Sequence, residues 1–339
     1  MTNIKRKITL AICLALSLVM LFVLSSCDIG ETPSNNSTST DTNTDSNEFE
    51  FIYRTDGEVE NGVIITGYKG EIPKELVIPA EVDGYMVSGV DGFQGVDIES
   101  LIISENVGYI YGGAFNNCTS LKKLSLPNQG GGLYDEHYFG YKSFENCSIE
   151  ELTCNASVFS MEERPTFSEN VKKLTIRAGC IDMSTGIKYC SSIEEIYFDE
   201  GAEGVSDEAL YGMKSLKSVI CHENCKIYFG WNSLSSCENL STLVLPKNGA
   251  RISEYAFANC AIKELILPEG VTNIDGDAFY GCANLTIYCE ATSKPSGWSL
   301  NWNSSNCPVY WYSESEPTID GNYWHYGDNE IVIWDTANN

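Results

Sequence analysis

One short pattern, two apolar residues flanking a single residue, recurs along this chain and limits what it can fold into. The pairs are Leu76/Ile78, Leu101/Ile103, Leu124/Leu126, Leu152/Cys154, Leu174/Ile176, Ile196/Phe198, Val219/Cys221, Leu243/Leu245, Leu265/Leu267 and Ile287/Cys289. Their first members lie 25, 23, 28, 22, 22, 23, 24, 22 and 22 residues apart. Alternation over three residues means a short strand with both named side chains on one face. A period in the twenties means a unit too small to bury that face alone, so neighbouring units must stack and share one continuous core.

A second anchor precedes seven of the ten pairs by seven to nine residues: Phe93, Phe115, Phe144, Phe167, Leu234, Phe257 and Phe279. Three residues after an anchor stand Cys118, Cys147, Cys237, Cys260 and Cys282, with Cys190 in register in its own unit. Val96, Asn170 and Met213 take the same slot elsewhere, as expected of a tight inward position where a free cysteine packs as a small hydrophobe. With Cys154, Cys221 and Cys289 in strand slots, nine of the twelve cysteines after Cys27 read as core residues. Mostly free thiols are expected. Zinc sites need close pairs such as C-x2-C, and Cys221-x3-Cys225 lacks a convincing second pair.

The motif A-F-x-x-C-x-x-L-x-x-L-x-L-P at this period resembles the BspA-like leucine-rich repeats of bacterial surface proteins, over about residues 50–312. "GYKGEIPKELVIPAEVDGYMVSGV" (67–90) is similar to that family's first coil, and "SKPSGWSLNWNSSNCPVYW" (293–311) to its last. The pattern is disturbed at "GGGLYDEHYFG" (130–140) and "SMEERP" (160–165). The resemblance implies surface display with protein binding or adhesion, and no catalytic residues. The expected architecture is a right-handed leucine-rich repeat solenoid of about ten coils. It would carry short parallel strands on one face, short helical or irregular segments on the other, and a β-rich C-terminal cap.

Four segments are expected. Residues 1–26 combine Lys5-Arg6-Lys7, an apolar run from Ile8 to Leu24 and the small pair Ser25-Ser26, the layout of a secretory signal. Leu24-Ser25-Ser26-Cys27 resembles the lipobox of bacterial lipoproteins, which implies a lipid on Cys27, membrane attachment through that lipid alone and an extracytoplasmic, surface-exposed location. Residues 27–48 are polar and cannot bury enough apolar surface to repay ordering, so they read as a tether. Asp41-x-Asn43-x-Asp45 there looks like the start of a calcium loop, but Ser46 replaces the turn glycine and Ile52 the closing glutamate. Residues 49–312 form the solenoid. Residues 313–339, with three apolar runs between Val309 and Trp334, read as an aromatic β cap over the open end of the core. A glycan platform of Trp311, Tyr323, Trp324 and Tyr326 is the alternative use of those aromatics.

A formal charge of −26 repels phosphate backbones, which argues against a nucleic-acid partner. The position two before each strand leucine reads Glu99, Lys122, Glu150, Lys172, Glu194, Lys217, Ser241, Lys263, and its neighbour reads Lys123, Glu151, Lys173, Glu195. Strands stacked about 4.8 Å apart would set each acid between two bases, and a slip by one coil would oppose like charges. Between the strand anchors runs an outward row: Ile102, Ser125, Thr153, Thr175, then Tyr197, Ile220, Val244, Ile266 and Tyr288. Those last five form a candidate hydrophobic strip for a protein or extracellular-matrix ligand.

Only His137, His222 and His325 exist, and no G-x-S-x-G, H-E-x-x-H or G-x-x-x-x-G-K motif appears. No enzyme, cofactor or metal is expected, and the chain is expected to act as a monomer.

Overall fold

The computed structural model describes residues 7–8, 50–128, 140, 142–160, 169–181, 187, 190–328 and 330–334. The leader, Cys27 and the tether therefore lie outside the described residues, apart from Lys7–Ile8, as do His137, Phe167 and nearly all of both disturbed segments. The chain divides into two compact units, Phe49–Tyr312 and a second that includes Ser313–Asn339.

The first unit is a β-solenoid. Every three-residue apolar pattern becomes a short strand, and the strands pair in parallel with leucine on leucine: Leu76, Leu101, Leu124, Leu152, Leu174, Ile196, Val219 and Leu243 are successive partners. Leu265, Ile287 and Val309 continue the column after an interruption in strand pairing between Thr242–Val244 and Glu264–Leu267. Inward members are buried from Leu76 to Cys289 and half-buried at Val309 and Trp311, and the outward residue between them is not buried except at Tyr288.

A second parallel ladder, absent from the sequence reading, closes another side of each coil. The C-terminal parts of Lys173–Ile181 and Glu195–Val205 pair with each other, followed by Ile227–Phe229, Ala250–Ile252 and Asn273–Ile274. An isolated bridge from Ile274 to Trp298 ends it. At the N-terminal end, Tyr85–Val90 pairs with Tyr109–Ile110 and with Gly62–Lys69. The latter forms an antiparallel hairpin with Glu50–Thr55. The far side of the coils, expected to be helical or irregular, consists mainly of turns among the described residues, with a 3-10 segment at Ala156–Ser160. Those turns need left-handed backbone two residues after each anchor. Asn117, Asn146, Ser236 and Asn259 supply it with φ between 56° and 62°, and Gly95, Gly212 and Gly281 do so in the other coils. Asparagine and glycine tolerate that conformation best.

The anchors stack along the core. Ring centroids lie 5.4 Å apart for Phe93–Phe115, 5.5 Å for Phe115–Phe144 and 5.9 Å for Phe257–Phe279. Eleven of the twelve described cysteines are buried, Cys180 is half-buried, and all twelve are free thiols. The thiols do more than fill space. Five of these thiols donate to the main-chain carbonyl at the anchor position of the preceding coil, which Leu210 fills in one of them: Cys118 to Phe93, Cys147 to Phe115, Cys237 to Leu210, Cys260 to Leu234 and Cys282 to Phe257, at 3.1–3.3 Å. A carbonyl turned into the core is thereby satisfied by a side chain small and apolar enough to be buried there. Burial pushes the Cys237 and Cys282 thiols up to about 11, so they remain protonated donors at neutral pH.

The second unit contains an antiparallel hairpin, Tyr323–Gly327 with Glu330–Ile333. Trp324 is fully buried and meets Tyr326 edge-on at 4.8 Å, while His325 stacks on Trp334 at 4.1 Å. The Trp334 indole donates to the Ser313 carbonyl at 2.8 Å.

Candidate binding face

The outward surface of the main ladder begins with its charged edge. Glu151 pairs in register with both Lys123 and Lys173, and Lys173 with Glu195. Ion pairs follow that register: Lys123–Glu151 at 3.3 Å, Lys172–Glu150 at 3.1 Å, Lys173–Glu195 at 3.6 Å and Lys217–Glu194 at 2.6 Å. The Lys217 ammonium, hydrogen-bonded to Glu194, lowers the glutamate's pKa. All these side chains are well exposed, so each pair adds little stability. Their value lies in register. Lys172→Glu combined with Lys173→Glu faces four carboxylates with two more; the thermal midpoint should fall by a few degrees at low salt and recover largely at high salt. An unchanged midpoint at low salt would remove the ladder's role.

Beside this edge, Tyr197 stands opposite Ile220 and Ile220 opposite Val244, while Ile266 stands opposite Tyr288. The row is contiguous within each of those runs, but it is not open to water as expected. Tyr197, Ile220, Val244 and Ile266 are half-buried, and Tyr288 is 2% exposed. The ring of Tyr310, its partner in the next strand, stacks on Tyr288 at 5.4 Å. Tyr288 is therefore a core residue and leaves the strip. Burial pushes both phenols up to about 12, with Asp199 adding to the effect at Tyr197 and Glu264 at Tyr288. Both stay neutral at physiological pH.

The more exposed apolar members of this row lie at its other end, where Val77 (46%) stands opposite Ile102 (41%). Between the two ends the row is polar and strapped by Arg177. Its guanidinium donates to the Ser125 hydroxyl at 2.9 Å and the Leu126 carbonyl at 3.3 Å, and pairs with Glu105 at 3.5 Å. Arg177 follows the inward Ile176, so strand alternation alone could have flagged it as outward-facing.

The aromatics named as an alternative glycan platform differ in exposure. Trp324 is fully buried, Trp311 and Tyr323 are half-buried, and only Tyr326, at 46%, is well exposed. Among the described residues no group of three or more His, Cys, Asp or Glu could hold a metal ion. No helix among them is long and apolar enough to cross a membrane.

A family profile described as "BspA type Leucine rich repeat region" matches residues 89–187 and 187–286 in six copies, more than half of the chain. The chain belongs to the BspA-type leucine-rich repeat family. Solved structures similar to it are described as leucine-rich proteins. A leucine-rich repeat protein of Bacteroides ovatus is 21% identical, with a TM-score of 0.32, over 77% of this chain and 69% of that one. A leucine-rich repeat protein of T. pallidum is 20% identical, with a TM-score of 0.30, over 62% and 86%. A leucine rich cell surface protein of Faecalibacterium prausnitzii is 18% identical, with a TM-score of 0.27, over 78% and 95%. At such scores the family assignment rests on the repeat profile and not on superposition. No curated protein is significantly similar to the chain. In BspA-type terms, the A-F-x-N-C segment is the turn that carries anchor, left-handed residue and thiol donor together.

Proposed function

We propose that this BspA-type protein is a lipid-anchored bacterial cell-surface binding protein that recognises a protein or matrix ligand through the outward face of its main strand ladder. The observation that carries the reading is the row of outward apolar side chains held in strict register, Tyr197–Ile220–Val244, bordered by the charged edge. A solenoid surface of this kind offers a ligand regularly spaced contacts on a rigid support. The family's association with surface display and the lipobox-like Leu24-Ser25-Ser26-Cys27 support the location. Two measurements separate anchoring from recognition. Radiolabelled fatty acid should be incorporated into the chain but not into Cys27→Ala, and an unlabelled wild type would count against the lipid anchor. In binding to immobilised extracellular-matrix proteins, Ile220→Ser with Ile266→Ser should abolish capture while the thermal midpoint changes by only a few degrees. Undiminished capture would dismiss the strand face as the site.

A further inference from the structure

A second surface lies on the side of the coil formed by the other ladder and the anchor turns, away from the strand-face row and independent of it. Aromatic rings are unusually open there. Tyr228 is 36% exposed, Trp231 42% and Tyr280 53%, and Tyr255 meets Tyr280 edge-on at 6.1 Å. The coil register brings them together. Tyr228 stands opposite Arg251 in the next coil, the Trp231 carbonyl accepts from the Glu208 amide, and the Glu254 carbonyl accepts from the Asn232 amide. The Asn259 amide donates to the Tyr280 carbonyl.

Carboxylates surround these rings. Asp207 accepts from the Trp231 amide at 2.7 Å, and Asp277 accepts from the Tyr255 hydroxyl at 3.3 Å. Glu208 and Glu254 take part in no ion pair among the described residues, and Glu254 is exposed. The cation on this surface, Arg251, sits with its guanidinium 5.8 Å from the centre of the Tyr228 ring. Open indole and phenol faces beside unpaired carboxylates favour guanidinium, which is attracted by the ring face and by the carboxylates.

We infer that the surface of Tyr228, Trp231, Tyr255 and Tyr280, with Glu208 and Glu254, is a docking site for an arginine-rich polypeptide segment. Arg251 on Tyr228 is the chain's own instance of the contact such a partner would repeat along neighbouring coils. The acidic charge of the whole molecule steers a basic segment toward it.

The test uses the full chain and a fluorescent peptide of alternating arginine and serine, with its citrulline counterpart as the neutral probe. The arginine peptide should bind with an affinity that weakens as salt is raised, and the citrulline peptide should not bind. Trp231→Ala with Tyr280→Ala leaves net charge untouched and should weaken binding roughly tenfold, since each exposed cation–π contact is worth a few-fold. Glu208→Gln with Glu254→Gln should weaken it similarly, whereas Glu58→Gln with Glu60→Gln, an equal change of charge at the N-terminal hairpin turn, should not. Ile220→Ser with Ile266→Ser should bind the peptide normally, which keeps this result separate from the strand-face reading. Equal binding by the Trp231/Tyr280 variant and the wild type would reduce the effect to bulk charge and overturn the proposal. Retention of a neutral β-glucan through these rings, with no affinity for the arginine peptide, would overturn it too.

Discussion

Replacing Phe257 with alanine should cost the solenoid roughly 3–5 kcal/mol, the range for a fully buried aromatic ring whose site cannot collapse. Phe257 is 0% exposed, with Phe229 at 4.9 Å on one side and Phe279 at 5.9 Å on the other, so the cavity opens between two rings that are themselves pinned. Its carbonyl also accepts the Cys282 thiol. Because coils touch only their neighbours, the damage should stay local: hydrogen exchange should accelerate first in the coils beginning at Leu243, Leu265 and Ile287. Tyr280, one residue beyond the next anchor and 53% exposed, is the control. Tyr280→Ala should move stability by no more than about 0.5 kcal/mol. Denaturant unfolding of the two variants settles the comparison, and equal losses would mean that the ring column is not the core.

Gly204→Ala should destabilise by roughly 2–5 kcal/mol, for a different reason. Gly204 adopts φ +142° where two coils of the second ladder press together, and a Cβ there would fall 2.0 Å from the Tyr228 carbonyl oxygen and 2.8 Å from the Tyr228 nitrogen. Both atoms are backbone in a paired strand and have no rotamer by which to withdraw. Gly212→Ala separates clash from backbone strain. Gly212 has φ +69° but open space around it, so alanine should cost only about 1–2 kcal/mol. A thermal or urea midpoint for Gly204→Ala no lower than that for Gly212→Ala would show that the coils are not packed this closely.

The main ladder was legible in the sequence because its signal repeats: Leu152 needs Leu124 and Leu174 beside it, and Glu151 needs Lys123 and Lys173, so pattern and pairing specify the same register. The second ladder was not. Its pieces carry a weaker pattern: Asn273–Ile274 has a single buried residue, and in Ala250–Ile252 the second inward position is only an alanine, too little apolar alternation to register as a strand. The hairpin at Glu50–Thr55 was missed because its partner, Gly62–Lys69, lies outside the repeat. For the binding row, alternation correctly gave the direction of each side chain. It could not give coverage, which depends on what the next coil places alongside: Tyr310 buries Tyr288, whereas Ser125 leaves Ile102 exposed. The small, weakly polar character of cysteine accounts for the burial of these residues. Their hydrogen bonds to the anchor carbonyls depend on a backbone group that periodicity does not reveal.

Thiols enclosed in a stack of coils are the central feature of this fold, and native-state alkylation reads their enclosure directly. Iodoacetamide at neutral pH, followed by peptide mass spectrometry, should label half-buried Cys180 first and leave Cys237, Cys260 and Cys282 untouched until the chain is unfolded, when all of them should react. Rapid labelling of those three in the folded protein, or their recovery as disulfides, would contradict it.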